Sequence, residues 1–283
     1  MPTPRNPRPQ SARKPRRPRT AKAKPKPLRK PLPQWARLSL LVAAMVCLSL
    51  GFYALYIRPF AYRWKPCYGQ KGYGVCLPCR YAVHGIDVSH HQGTIDWEAV
   101  GRCRESEFPI CFAFVKATEG GDYSDHCFRN NFEQARKHGL IRGAYHYYLP
   151  QTDALKQADF FIRNVQLESG DLPPVLDVEV AGKRKDGEWR QGVKLWLERV
   201  EQHYGVKPIL YTSYKFKKRY LSDSIFNSYP YWIAHYYVDS VRYEGRWAFW
   251  QHTDAGDVPG IRKTVDLNVF NGSLEKLMKM TIQ

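Results

Sequence analysis

The stretch "PPVLDVEV", residues 173–180, places two carboxylates, Asp177 and Glu179, in a segment that otherwise has the composition of a buried strand. Residues two apart in a strand share one face, about 6.6 Å apart along the chain, so the two acids should point the same way. The other face should be covered by hydrophobic residues: Leu176, Val178 and Val180. Burial of an uncompensated carboxylate is costly, so the pair needs partners, shifted pKa values or a place at a strand end facing a cleft. One acid in a salt bridge and the other in water is the alternative.

Short hydrophobic strands alternate with helical patterns from residue 81 onward. The strand candidates are residues 84–89, 110–118, 141–148, 173–180, 207–214, 229–236, 247–253 and 264–270. Helices are predicted over 126–139, 152–166 and 190–205, with Gly139 and Gly205 as their C-terminal caps. This alternation favours parallel β-α-β units, and eight such strands favour a closed barrel. Because the later connections are too short for full helices, the predicted fold is an α/β, irregular TIM-like barrel.

Positive charge is concentrated at the N-terminus. The formal net charge is +18, but residues 1–37 carry 13 Lys and Arg, ten prolines and no acid, which leaves +5 for the remaining 246 residues. Such a segment cannot bury enough apolar surface to fold and is predicted to be disordered. Since the basic character belongs to a tail, the charge does not indicate a nucleic-acid-binding protein.

An uncharged run, "LSLLVAAMVCLSLGFYALYI", follows at residues 38–57. As a helix it would span about 30 Å, the thickness of a bilayer core. The excess of positive charge before it predicts a cytoplasmic N-terminus and an exported C-terminal part. We expect a retained single-pass anchor in the cytoplasmic membrane. A cleaved signal peptide is the alternative, but the run is long for one and no cleavage pattern follows it closely.

Six cysteines follow the apolar run: Cys67, Cys76, Cys79, Cys103, Cys111 and Cys127. An even number in an oxidising compartment predicts structural disulfides. Cys76 and Cys79 form a C-x-x-C, but neither a second such pair nor a histidine pair follows at zinc spacing. We therefore expect no metal and no cofactor. The predicted organisation is a disordered tail over 1–37, an anchor over 38–57, a cysteine-containing juxtamembrane segment over 58–80 and a main domain over 81–283.

Polar and aromatic residues recur at the ends of the predicted strands. They are Asp87, Glu119, Tyr147, Asp177, Glu179, Tyr211, Trp232, His235, Gln251 and Asp266. Ligands of such barrels bind at the carboxyl ends of the strands, where the loops converge. Carboxylates supply acid catalysis and aromatic faces pack against sugar rings, so the pattern indicates a sugar-cleaving cleft. For each of the three aromatic residues, a place in the barrel core is the alternative.

Four segments of the chain resemble glycoside hydrolase family 25, the muramidases of the Chalaropsis lysozyme type. "GIDVSHHQGTIDW" resembles the opening strand and loop of that family, "FVKATEGGDYSD" the second, "DVEV" its central acidic strand and "WQHTDAGDVPGIRKTVDLNVF" its close. The resemblance runs from about residue 84 to residue 270. It implies hydrolysis of the β-1,4 bond between N-acetylmuramic acid and N-acetylglucosamine. Position by position, it implies Glu179 as the general acid and Asp87, Asp177 and Asp266 as the other active-site acids.

Hydrolysis requires an acid that keeps its proton near neutral pH. An ionised Asp177 in a partly desolvated cleft would raise the pKa of Glu179. The spacing of the pair favours attack by the substrate's own 2-acetamido group, steadied by Asp177, with Asp87 as the alternative nucleophile or stabiliser. Asp266 is expected to orient its neighbours. The substrate-binding candidates are Tyr147, Tyr211, Trp232, Glu119 and Gln251.

The expected partners are peptidoglycan glycan strands and, through residues 38–57, the lipid bilayer, with no nucleic acid. We expect a monomer. An inactive glycan-binding domain that tethers the membrane to the wall is one alternative, against which the intact set of acids argues. A chitinase-like hydrolase of N-acetylglucosamine polymers is the other, and analysis of the reaction products separates the two enzymes.

Overall fold

The computed structural model describes residues 33–58, 70–182, 187–236, 238–241, 243 and 245–283. The chain divides into two compact units, residues 1–60 and 61–283. Most of the tail that is predicted to be disordered lies outside the described residues, and so does Cys67.

One long apolar helix makes up the described part of the first unit. Helix α1 spans Gln34–Phe52 and continues as a π-helix over Tyr53–Ile57. The combined segment, Gln34–Ile57, is long and apolar enough to cross a membrane. No residue in it is buried, so this helix is not the core of a folded domain. The predicted apolar helix is confirmed, although it begins at Gln34 rather than at residue 38.

The second unit begins with a small hairpin and continues into a barrel. The hairpin pairs β1 (Lys71–Gly72) with β2 (Val75–Cys76), and its turn holds Tyr73 and Gly74 at φ 52° and 74°. The strands that follow are β3 (His84–Val88), β4 (Ile110–Glu119), β5 (Tyr123–Ser124), β6 (Ile141–Tyr147), β7 (Val175–Asp177), β8 (Ile209–Ser213), β9 (Tyr231–Ala234), β10 (Phe249–Gly256) and β11 (Val265–Phe270). All of them except the short β5 are barrel strands, and each overlaps one of the eight predicted segments.

Among the described residues, six α-helices accompany the strands. They are α2 (Trp97–Arg102), α3 (Phe128–Lys137), α4 (Ala154–Asn164), α5 (Glu188–Tyr204), α6 (Tyr214–Tyr220) and α7 (Leu274–Met280). The three predicted helices correspond to α3, α4 and α5. Gly139 and Gly205 follow α3 and α5 at φ 81° and 70°, a conformation that glycine adopts without strain, so the predicted caps are confirmed. The short helices α2, α6 and α7 were not predicted.

The barrel closes through strands of mixed direction. The barrel strands β3, β4, β6, β7, β8, β9 and β10 pair in parallel in that order. Strand β11 is antiparallel to both of its neighbours, β10 and β3. The prediction of parallel strands is therefore wrong for β11. The physical reason is the short connection before β11, because a parallel crossover needs a dozen or more residues.

The interior of the barrel is apolar at one end and polar at the other. Side chains alternate along β7. Val175 packs inside the barrel, whereas Leu176 packs between the barrel and the helices. The apolar end is filled mainly by Phe112, Phe114, Val175, Ile209, Phe249 and Phe270. The polar groups lie at the carboxyl ends of the parallel strands, as the sequence predicts.

The cysteines differ from the prediction. Cys76 is part of a disulfide, but Cys79, Cys103, Cys111 and Cys127 are free thiols. The prediction that all six cysteines pair is therefore wrong for these four. Cys103 and Cys111 are buried, and their Sγ atoms lie close to the carbonyl oxygens of Ala99 and Pro109. Buried cysteines of this kind behave as small hydrophobic residues.

Candidate active site

A cleft of about 240 Å³ opens at the carboxyl ends of the barrel strands. It is lined by Asp87, Ser89, His91, Lys116, Tyr145, Tyr147, Asp177, Glu179, Tyr211, Trp232, Tyr236, Gln251 and Asp266. All four predicted catalytic acids are thus brought together, although they come from segments up to 179 residues apart in the chain (87 to 266).

Asp177 and Glu179 both line the cleft but differ in exposure. Strand β7 ends at Asp177, which is buried, whereas Glu179 lies two residues beyond the strand and is exposed. The prediction that the two acids share a face is confirmed by their common place in the cleft. Val178 between them is fully buried. Val180, predicted to be buried, is exposed because the chain has left the sheet by that residue.

Oδ1 of Asp177 is buried and has no hydrogen-bond partner among the described residues. Nearly all buried polar atoms in proteins are paired, so an unpaired carboxylate oxygen in a cleft is an available acceptor. The carboxyl group of Asp177 has a pKa well above its usual range, because it is buried and because the charge of Glu179 repels a second negative charge. The positive charge of Lys116 opposes this shift.

The pKa of Glu179 is also raised. The largest cause is the loss of hydration inside the concave cleft, although part of the side chain reaches solvent. A hydrogen bond with Tyr211 and the positive charge of Lys116 act in the opposite direction. The predicted direction is confirmed, and desolvation is its largest cause.

Asp87 is held by two amide side chains. Its carboxylate accepts hydrogen bonds from Gln251 Nε2 at 2.9 and 3.0 Å and from Asn268 Nδ2 at 2.7 Å. Burial nevertheless raises the pKa of Asp87 to about 7. Both oxygens are therefore engaged by protein donors, and a role of Asp87 as nucleophile or stabiliser stays a prediction.

Asp266 lies directly across from Asp87 where β11 pairs with β3. Burial, followed by the charge of Asp87, raises the pKa of Asp266 to about 9. Two facing carboxyl groups cannot both be ionised without repulsion, so this pair retains a proton near neutral pH.

The predicted substrate-binding aromatic residues differ in how much ring surface they offer. Trp232 is 2% exposed, stacks on Phe114 with ring centroids 4.4 Å apart and donates its Nε1–H to Asn268. Tyr211 is 5% exposed and donates its hydroxyl to Gln251 Oε1 at 2.7 Å. Both are largely core residues, the alternative left open by the sequence. Tyr147 is half-buried and lines the cleft.

The polar candidates Glu119 and Gln251 bind protein groups. Oε2 of Glu119 is 2.6 Å from Nζ of Lys116, and Glu119 is not among the cleft-lining residues. Oε1 of Gln251 accepts from both Tyr211 and Tyr236 at 2.7 Å. A direct contact of either residue with substrate stays a prediction.

Sequence reasoning missed six residues of the site: Ser89, His91, Lys116, Tyr145, Tyr236 and Asn268. Lys116 had a recognisable signal, because it is a charged residue inside the otherwise buried strand "ICFAFVKAT". Asn268 also had one, because it lies two residues after Asp266 on the same strand. Among the described residues, no group of three or more His, Cys, Asp or Glu side chains is arranged to hold a metal ion.

Comparisons with known proteins agree with this geometry. Residues 86–261 match the family model described as Glycosyl hydrolases family 25. The chain is 44% identical to the protein YegX of Escherichia coli (strain K12) over 223 residues, 78% of this chain and 80% of YegX. It is 34% identical to lysozyme M1 of Streptomyces globisporus over 213 residues, 70% of this chain and 71% of that protein. The crystal structure of the bacterial lysozyme from Streptomyces coelicolor aligns with a TM-score of 0.65 at 32% identity, covering 71% of this chain and 97% of that one.

Proposed function

The chain belongs to glycosyl hydrolase family 25 and is a glycoside hydrolase, and from this premise we propose how it cleaves peptidoglycan. The bond broken is the β-1,4 bond from N-acetylmuramic acid to N-acetylglucosamine. Glu179 is the general acid, and Asp177 steadies the 2-acetamido group of the substrate.

The observation that carries this proposal is the buried Oδ1 of Asp177, which has no hydrogen-bond partner in the part of the chain that the structure describes. A buried acceptor without a donor is unfavourable by about 1 to 3 kcal/mol, so the site is suited to a ligand that brings a donor. The N–H of a 2-acetamido group is such a donor. Glu179, in the same cleft, is then available to the glycosidic oxygen of the same sugar.

The raised pKa values of Asp177 and Glu179 support a pair that shares one proton before substrate binds. An amide N–H bonded to Asp177 favours its ionised form, so the proton then resides on Glu179. Glu179 transfers that proton to the leaving oxygen while the acetamido oxygen attacks the anomeric carbon, forming an oxazolinium ring. Glu179, now ionised, deprotonates the water that opens the ring, and the configuration at the anomeric carbon is retained.

Asp87 and Asp266 support this pair without reacting. The amide side chains of Gln251 and Asn268 hold Asp87 in place. The Asp87–Asp266 pair lies where β11 pairs with β3, across the barrel from β7. The negative charge that this pair keeps near neutral pH also favours a positively charged ring intermediate in the cleft.

Replacing Glu179 by Gln tests the proposal. The amide keeps the shape but cannot donate the proton, so hydrolysis of purified peptidoglycan by the full-length protein in detergent should fall at least about 100-fold, within the usual range of general acid catalysis. A loss smaller than about tenfold would exclude Glu179 as the acid. Asp122→Asn, at an exposed acid, is the control and should keep full activity.

Product analysis distinguishes the alternatives. A muramidase leaves reducing ends of N-acetylmuramic acid, whereas a chitinase-like enzyme leaves reducing N-acetylglucosamine. Wall binding with no new reducing ends would instead favour a glycan-binding tether.

We propose further that residues 38–57 are a retained membrane anchor with the N-terminus in the cytoplasm and a monomeric catalytic domain facing the wall. The apolar helix and the thirteen basic residues before it support this orientation. A C-terminal reporter that works only outside the cytoplasm should be active, and the full-length protein should sediment with membranes. A soluble mature form beginning near residues 58–66 would contradict the retained anchor.

A further inference from the structure

Lys116 is the one lysine or arginine among the described residues that line the cleft. Its side chain is only 10% exposed, and its Nζ lies 2.6 Å from Glu119 Oε2. The ammonium group also lies 5.1 Å from the centre of the Tyr147 ring. A nearly buried lysine loses hydration, so its place beside the acids needs an explanation.

An irregularity in β4 brings Lys116 and Glu119 to the same face. Residues three apart in a regular strand point to opposite faces. In β4 the register with β6 shifts between Lys116 and Thr118, so that Lys116 pairs with Tyr145 and Glu119 pairs with Tyr147. A bulge of this kind inserts one residue and reverses the alternation beyond it. Tyr145 and Tyr147 both line the cleft, so the bulge directs both charged residues toward the cleft side.

Thr118, the residue displaced by the bulge, is turned away from the cleft. It is fully buried, and its Oγ1 lies 2.7 Å from Nδ1 of His146. The ring of His146 stacks on Trp196 of α5 with centroids 5.5 Å apart, so Thr118 faces the helix layer. Without the bulge, Thr118 would face the cleft and Glu119 could not reach Lys116.

We propose that Lys116 and Glu119 form a charge pair that sets the pH range in which the Asp177–Glu179 pair hydrolyses glycan. This inference rests on the proposed function of those two acids. Lys116 is a positioning residue in this scheme, because it acts through the acids and does not touch the reacting atoms.

The charges around Lys116 give the expected directions. Its positive charge lowers the pKa values of both Asp177 and Glu179, whereas the negative charge of Glu119 raises that of Asp177. The titratable groups that face Lys116 are Glu119 on β4, Tyr123 on β5, Tyr147 on β6, Asp177 on β7, Glu179 after it, and His91 after β3. Activity requires an ionised Asp177 and a protonated Glu179, so these two groups define the acidic and basic limbs of the pH–rate profile.

Two single variants should move the profile in opposite directions. Lys116→Met removes the positive charge, so both limbs of the kcat/KM profile should shift to higher pH by about half a unit or more. Glu119→Gln leaves Lys116 uncompensated, so at least the acidic limb should shift to lower pH. The double variant should lie between them, and Lys116→Arg should stay close to the wild type. Lys137→Met, at an exposed lysine on α3, is the matched control and should leave the profile unchanged.

If the acidic and basic limbs of the pH–rate profile do not shift in Lys116→Met and Glu119→Gln, the proposal is overturned, even if the rate falls. A rise in KM without a shift of either limb would likewise overturn it and make Lys116 a substrate-binding residue. Titration of carboxyl carbons by ¹³C NMR, on the full-length protein in detergent, follows Asp177 without turnover. A Lys116→Met shift seen by NMR in a protein that leaves no reducing muramic acid ends would uphold the charge pair and reject the proposed function. An unchanged Asp177 titration in a Lys116→Met protein that is an active muramidase would reject the charge pair and uphold the proposed function.

Discussion

The two ends of the barrel interior are built from the same strands but hold opposite kinds of side chain. Phe114 lies in β4 two residues before Lys116, and Val175 lies in β7 two residues before Asp177. At the first end, aromatic rings such as Phe114 and Phe249 pack with centroids 5.0 Å apart. At the other end, carboxyl groups with raised pKa values share a small cleft.

Within a single strand, the residues at the apolar end therefore contribute to stability and those at the polar end to catalysis. The apolar end gains free energy from burial and dispersion, whereas the polar end keeps groups whose charged forms burial disfavours. Substitutions at the apolar end should therefore change the stability of the protein. Substitutions at the acids should change activity, and some should raise stability.

The largest expected effect is on stability, from Phe114→Ala. Phe114 is fully buried and contacts Trp232, Phe112 and Phe249. Its truncation should lower the free energy of unfolding by about 3 to 5 kcal/mol, as measured by denaturant unfolding of the second unit within the full-length protein. Leu155→Ala, at a residue that is 44% exposed, is the control and should change stability little. A loss below about 1 kcal/mol for Phe114→Ala would show that the apolar end is not the main store of stability.

Asp177→Asn should produce the next largest effect, on activity. The amide keeps the shape but loses the negative charge that steadies the acetamido group, so kcat should fall roughly 100-fold with a small change in KM. Reducing-end assays on peptidoglycan over a range of concentrations measure both constants. Near-wild-type kcat, with the protein folded, would argue against a role for Asp177 in the reaction.

A smaller effect, of opposite sign, is expected from Asp266→Asn on stability. The raised pKa of Asp266, about 9, means that the folded protein holds this proton to higher pH than the unfolded chain. The free energy of unfolding that Asp266 contributes therefore falls as pH rises from about 4 toward 9. At pH 7 the amide should stabilise the protein by about 1 kcal/mol, or about 2 to 4 °C in Tm, and the gain should vanish below about pH 4. A gain that is equal at pH 4 and pH 7 would show that charge is not its cause.

The positions of the strands could be predicted from the sequence because their patterns are local. Each barrel strand is a short hydrophobic run, and the acids stand near or just beyond the carboxyl ends, as in "HGIDV" and "VLDVE". The direction of β11 was not predictable from "TVDLNVF" itself, because an isolated strand has the same pattern in both directions. The register shift in β4 was not predictable for a similar reason, since it depends on the pairing with β6.

The site was predictable for its acids and not for the groups that hold them. Asp87, Asp177 and Asp266 stand out because carboxylates are rare in buried strands. The roles of Asn268 and Tyr236 could not be assigned from the sequence, because each depends on a side chain that another strand supplies. The free thiols escaped prediction because cysteine count and compartment say nothing about which sulfur atoms come within reach of each other.

The pairing of the first and last barrel strands also determines the stage of synthesis at which the active site is complete. Asp87 receives its hydrogen bonds from residues 164 and 181 positions later in the chain, so a nascent chain emerging from the ribosome carries the acid long before its partners exist. Contacts of such separation form late and slowly during folding. A growing or truncated chain that stops before β11 therefore has no closed barrel and no complete cleft. Hydrolytic activity is delayed until synthesis has passed residue 270, which keeps a wall-degrading enzyme silent while it is still being made.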